Sequence, residues 1–185
     1  MRITVLLLFL NSLFCFFSCA SIPMEQQPYA FLADNSKYVL LPPSGIEKPI
    51  DMIQHISASY GDREMFLSAW VKADETAVEM ALFNDLGTGM GELNYRDGAI
   101  NFSSSVFPKS LKPEYIVADF QLCFYEPLLL DRALKDCGLK FEIQNGIRTV
   151  FSGKELIIQI EKTESTIKFV NSLRGYSYSL EGDFL

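Results

Sequence analysis

Residues 113–138 read PEYIVADFQLCFYEPLLLDRALKDCG, and the period of this stretch differs from that of the sequence on either side of it. Tyr115, Ile116, Phe120, Leu122, Cys123 and Phe124, then Leu128, Leu129, Leu130 and Leu134, recur at spacings of three and four, the mark of a helix. Pro127 lacks an N–H and clashes with the preceding turn, so it divides the block into two short helices, and Gly138 supplies a natural stop. Outward from the block the period drops to two. On the N-terminal side Ile50, Met52, Gln54, Ile56 and Ala58 share one face of a first long strand. Met65, Leu67, Ala69 and Val71 line a second, with Phe66, Ser68, Trp70 and Lys72 opposite. Val78, Met80 and Leu82 line a third, with Glu79 opposite. A glycine-rich turn at 85–91 leads to strands at 92–95 and 99–103, joined at Arg96-Asp97-Gly98. On the C-terminal side, strands are expected at 139–144, 147–152, 155–162, 166–170 and 176–181. Asn145-Gly146 is a strong hairpin signal between the first two. Connections this short require antiparallel pairing. The expected fold is α+β: a large curved antiparallel sheet, an incomplete half-barrel, with short helices packed on its concave face.

The chain has 185 residues, 16 basic and 23 acidic, and 49% are hydrophobic. That much apolar surface excludes intrinsic disorder, and a formal charge of -7 argues against a general nucleic-acid binder. Much of the hydrophobicity lies in residues 3–17 (ITVLLLFLNSLFCFF), preceded by Arg2 alone. The run is short for a membrane span, which needs about 20 apolar residues, and has the form of a secretory signal. Phe16-Phe17-Ser18-Cys19-Ala20 resembles a bacterial lipobox, which implies cleavage before Cys19 and lipidation of its thiol; the other reading is an uncleaved anchor helix. Ala20 stands where aspartate retains many lipoproteins in the inner membrane, so the periplasmic face of the outer membrane is expected. The organisation is then a signal peptide at 1–18, a lipidated tether at 19–35 and one domain at 36–185. Lys37 to Leu41 contributes a short strand before Pro42-Pro43. Cys123 and Cys137 either pair in an oxidising compartment or remain two buried thiols.

Catalytic chemistry finds little support. His55 is the single histidine and lies in a strand pattern with no partner nearby in sequence. Ser165-Thr166-Ile167-Lys168 matches S-x-x-K by letter, yet it alternates like a strand and so separates serine from lysine. Gly87, Gly89 and Gly91 imitate a phosphate loop without a following helix. One histidine and two spare cysteines give no metal-ligand set. No enzyme activity, metal or cofactor is expected. A rolled sheet over two helices does leave room for an apolar cavity. Its expected lining is Met65, Trp70, Met80, Phe120, Phe124 and Leu129, with core filling as the alternative for each.

Three stretches carry a resemblance. Leu82-Phe83-Asn84-Asp85-Leu86-Gly87-Thr88, followed by Gly91-Glu92-Leu93, resembles the protruding loop of the outer-membrane lipoprotein receptor LolB, with Asp85 standing where that loop has proline. Asp119-Phe120-Gln121-Leu122, with Pro127 five residues on, and Asn171 before Gly175-Tyr176, resemble two patches of a family of uncharacterised bacterial lipoproteins. That resemblance implies a LolA/LolB-like half-barrel in a setting of aryl-polyene biosynthesis genes. It also implies that Leu86 and Met90 touch a membrane or a donor. Asp119, Gln121 and Asn171 are read as structural polar residues, binding strand ends, a helix cap or a turn. The expected partners are a membrane, reached through the lipid anchor, and an acyl or polyene ligand; the alternative is an assembly lipoprotein that binds a protein.

Overall fold

The computed structural model describes residues 27–105, 107 and 111–184, so the expected signal peptide, Cys19 and the first part of the expected tether lie outside the described residues. The chain opens with a hairpin, β1 (Tyr29–Ala33) and β2 (Ser36–Val39). Five strands follow: β3 (Ile50–Tyr60), β4 (Arg63–Ala73), β5 (Ala77–Phe83), β6 (Gly89–Arg96) and β7 (Ala99–Ser104). Helices α1 (Pro113–Phe124) and α2 (Pro127–Asp136) come next. The chain ends with β8 (Lys140–Gln144), β9 (Ile147–Ser152), β10 (Glu155–Lys162), β11 (Thr166–Asn171) and β12 (Tyr176–Glu181). Strands β3–β12 form one antiparallel sheet in the order β7-β6-β5-β4-β3-β12-β11-β10-β9-β8. The sheet is not closed into a barrel, and the fold is α+β.

Local chemistry accounts for these elements. Proline begins each helix, where its missing N–H costs nothing. In the β8–β9 hairpin Asn145 and Gly146 both take positive φ, 52° and 80°, the geometry a two-residue turn needs to match strand twist. Alternation holds along the long strands: Leu67, Ala69, Val71 and Ala73 are buried while Phe66 and Lys72 are exposed. Strand β12 joins the two halves by pairing with β3, Leu180 opposite Ile56.

The sheet order imposes the path of the helices. Strands β7 and β8 are neighbours in sequence but occupy opposite edges of the sheet. The intervening chain must therefore travel the width of the sheet, and it does so across the inner face: α1 packs on β7 and β1, and α2 on β8 and β2. Val117, Ala118, Leu122, Leu130 and Leu134 are fully buried there against Val78, Tyr95, Val150, Ile158 and Phe169.

Part of the 19–35 stretch expected as a tether is folded. Tyr29–Ala33 is a strand, and Ala30, Leu32 and Ala33 belong to the core together with Tyr38 and Leu40. The alternation of Ala30 and Leu32 lays the hairpin over the helices, and a reading that weighed the flanking polar residues and prolines passed over it.

Two side chains lock the crossing. Gln121, fully buried, accepts from the Leu41 N–H (3.1 Å) and the Tyr38 hydroxyl (2.9 Å) and donates to the Leu41 carbonyl (2.7 Å). Its amide thus pairs with the Leu41 backbone as a strand neighbour would. At the end of α1, Arg148 of β9 donates to the carbonyls of Leu122 and Tyr125, both at 3.0 Å, and to Glu47 at 3.1 Å. The Phe124 carbonyl accepts from the Glu47 N–H, and Glu126 N–H donates to Gly45. These contacts satisfy carbonyls that a buried helix end would otherwise leave without partners. Replacing Arg148 by alanine strands them and should lower the unfolding free energy by about 3 kcal/mol. Lys168→Ala, on the exposed outer face, should change it by less than about 0.5 kcal/mol. Urea denaturation of both variants measures the difference.

Candidate functional site: the β5–β6 loop, its apolar seam and the buried polar file

The loop between β5 and β6 is organised by one side chain. The Asn84 carboxamide oxygen accepts from the N–H groups of Leu86 (3.0 Å) and Thr88 (2.9 Å). Its backbone N–H donates to the Thr88 carbonyl, and Gly87 N–H donates back to the Asn84 carbonyl. Gly87, with φ 74°, supplies the left-handed residue that this turn requires. The result is a fixed tip from which Leu86 projects 89% exposed. Met90 does not share that exposure: it is half-buried and packs against the core, because the chain has already joined β6, where the Met90 carbonyl accepts from Ser104 and Ser105 hydroxyls.

Met90 leads from the loop to a seam of half-covered apolar side chains. Ile100 and Phe102 of the edge strand, Phe107 beyond it and Ile116 of α1 all lie partly buried against the core. The Phe102 and Phe107 rings are 6.3 Å apart. Gly91 lets β7 approach closely, since a Cβ there would lie 2.7 Å from the Ser103 carbonyl oxygen.

The six residues expected to line a cavity are not brought together. Phe120 and Phe124 are buried with ring centroids 4.8 Å apart, and Phe124 also meets Phe184. Met80 lies half-buried on the inner face of β5, and Met65 half-buried on the inner face of β4 near the Leu86 end. Trp70 belongs to the other side of the sheet: its register with Ile53 and Ala81 places it outward, and its indole N–H donates to the exposed Asp51 at 2.9 Å. Leu129 is 37% exposed on the first turn of α2, where its neighbour Leu128 is 79% exposed. Both corrections have the same source: side-chain size was weighed above the face that strand or helix phase assigns.

The polar signature residues form a connected file along α1. Tyr176 donates its hydroxyl to Asp119 at 2.7 Å and accepts from the Asn171 amide at 3.3 Å. Asn171 also accepts from the Arg174 N–H at 2.9 Å, closing the turn before β12. The Arg174 guanidinium lies 4.4 Å from the centre of the Tyr115 ring and bonds the Phe31 carbonyl, which ties the hairpin, α1 and this turn together. One helical turn beyond Asp119, Cys123 approaches the Tyr178 hydroxyl at 3.8 Å, and Tyr178 stacks on Phe169.

A family model described as "Protein of unknown function (DUF3261)" matches residues 51–181. The chain belongs to that family. No curated protein matches it. The matched span runs from the second residue of β3 to the last of β12, so DUF3261 corresponds here to the ten-stranded sheet with its two helices, and the β1–β2 hairpin lies ahead of it. Within that span, the stretch at 119–122 and the stretch at 171–176 meet in space through the Asp119–Tyr176 bond.

The chemistry of this file is that of buried support. Burial first, then the neighbouring Asp119, pushes the Cys123 thiol up to about 12, far from a reactive thiolate. Cys137 is likewise raised by burial, and the two cysteines are not bonded to each other. His55 lies on the outer face with its Nδ1 3.0 Å from the Ser68 hydroxyl. Among the described residues no group of three or more histidine, cysteine, aspartate or glutamate side chains converges to hold a metal ion. Arg148 escaped the sequence reading, as did the bonds of Arg174 to the hairpin and of Tyr176 to Asp119, because these partners lie 23 to 143 residues away and leave no local pattern. Gln54 was placed on the inner face by its period, but not its state: it is 3% exposed and its amide nitrogen has no hydrogen-bond partner among the described residues.

Burial holds the Asp119 carboxyl up at about 7, outweighing the Tyr176 hydroxyl and Arg174, which favour the charged form. A carboxyl raised above its unfolded value near 4 stabilises the fold while protonated, and that contribution disappears as pH climbs through about 7. Thermal unfolding across this window should show wild-type stability falling with pH, and Asp119→Asn, which still accepts from Tyr176, should flatten the profile.

Proposed function

We propose that this chain is a membrane-anchored periplasmic lipoprotein of the outer membrane that binds or hands over a hydrophobic, acyl- or polyene-bearing molecule, without catalysis. The observation that carries the reading is Leu86, a leucine held almost fully in solvent by a loop whose hydrogen bonds prevent it from folding back. A fixed, exposed leucine gains from burial in lipid or in a donor protein, and the LolB-like pattern around it implies the same use. The seam of Met90, Ile100, Phe102, Phe107 and Ile116 begins where that loop rejoins the sheet and gives an acyl chain an apolar path to the inner face. Flexible methionines, Met52, Met80 and Met90, lie partly buried along that face and adapt to varied chains. Gln54, buried on the same face with an unpaired N–H, supplies a donor for a ligand carbonyl. Cys19 would carry the anchor and the residues before Tyr29 the tether.

Native mass spectrometry of detergent-free protein should detect a co-purified lipid, and a fluorescent fatty acid should be taken up saturably. Leu86→Glu should slow transfer from lipid vesicles ~10–100-fold, the loss of one buried leucine, without altering the melting temperature. Gln54→Leu should raise the melting temperature by removing an unpaired buried amide, and should reduce the lipid carried. Finding neither lipid nor uptake would sink this reading. It would leave the alternative favoured by the packing of Phe120, Phe124 and Phe184: an assembly lipoprotein with a filled core and a protein partner.

A further inference from the structure

The outer face of strands β4–β7, opposite the helices, carries a groove of about 470 Å³, inside the ~300–1,000 Å³ range of small-molecule sites. Strand register builds it from two adjacent rows. One row runs Trp70, Ala81, Glu92, Ser103, each directly opposite the next; the other runs Lys72, Glu79, Asn94, Asn101. Ala81, small between an indole and a carboxylate, leaves the depression. The indole is not loose, because Asp51 on β3 accepts its N–H at 2.9 Å and fixes the ring on one wall.

The opposite wall offers hydrogen-bonding groups. Glu92, Asn101 and Ser103 are exposed and their side chains bond no group among the described residues, while the Asn94 amide is steadied by donating to Glu79 at 3.1 Å. The charge balance narrows the ligand. Arg96 stands 3.6 Å from Glu79, and Lys72 is directly opposite both Glu79 and Asp51 in the register, so two basic residues face the three carboxylates Asp51, Glu79 and Glu92. That balance excludes an anion and leaves one carboxylate without a basic partner, able to accept from a hydroxyl. An aromatic plate with a negative face suits the C–H groups of a sugar ring, and amides, a hydroxyl and a carboxylate suit its hydroxyls. We infer that this groove is a binding site for a neutral carbohydrate, with a pyranose ring stacked on Trp70 and its hydroxyls bonded to Glu92, Asn94, Asn101 and Ser103. The site lies on the opposite face from the acyl-binding region proposed above and is independent of it.

Trp70 is the only tryptophan in the chain, so its fluorescence reports on this groove alone. The full chain is titrated with soluble oligosaccharides built from glucose, galactose, mannose and N-acetylhexosamine, and with choline as a cationic probe. At least one oligosaccharide should produce a saturable shift in emission. Asn101→Ala and Glu92→Gln, both exposed, should each weaken it ~10-fold with the melting temperature unchanged. The proposal is overturned if no oligosaccharide saturates, if choline alone does, or if the Glu92→Ala/Asn101→Ala double variant binds sugar as tightly as the native protein.

Discussion

The structure depends on satisfying the backbone of a helix that must end inside the protein. Because β7 and β8 are opposite edges of one sheet, α1 crosses the inner face and terminates in the middle of the core. The carbonyls of its last turn have no helical partners there, and leaving them dry would cost about 1–3 kcal/mol each. Arg148 spans two of them from β9, and Glu47 both bonds a third through its N–H and pairs with the guanidinium. One buried cation therefore joins the C-terminal half of the sheet, the helix corner and the segment leading into β3. The ion pair is useful here for geometry more than for energy, since a cation this buried is tolerated only when its donors are met.

The same constraint explains why an otherwise apolar helix contains Asp119 and Gln121. Each polar side chain binds an element that the sheet ladder does not reach. Gln121 holds the chain after β2 by its Leu41 backbone, and Asp119 holds the start of β12 through Tyr176. Tyr95 from β6 donates to the same Leu41 carbonyl, so this one peptide joins the hairpin, the helix and the N-terminal half of the sheet. Two separate segments are thereby tied to α1 directly, and β6 through the Leu41 carbonyl, by hydrogen bonds of fixed direction that apolar packing alone would not orient.

Much of this architecture was legible as period. The switch from two to three-and-four and back at residues 113–138 placed five strands on each side of a helical pair, and short turns made them antiparallel. Leu86 drew notice only through the resemblance of its loop to a known one, and Gln54 through its phase in β3. The misplaced residues show where period was overruled. Trp70 alternates with Ala69 and Val71 and so had to face outward, yet its size drew it into the expected cavity lining. The Ala30–Leu32 alternation was too short to stand out against its polar flanks. What one sequence does not carry is pairing across distance: Arg148 and Arg174 look like ordinary surface basics until the fold brings carbonyls to them.

Asn84 shows how one side chain can fix a loop. A proline in such a loop would stiffen it by fixing φ, and this loop, with Asp85 and Leu86 at its tip, has none. Here stiffness comes from one position earlier, where Asn84 accepts two N–H bonds and closes the turn with its own backbone. The difference matters for the exposed leucine. In a mobile loop Leu86 would collapse onto the half-covered seam at Met90 and Phe102, burying its apolar surface and covering the seam at once. The hydrogen-bonded loop opposes that collapse, so the side chain protrudes and the seam stays half-covered.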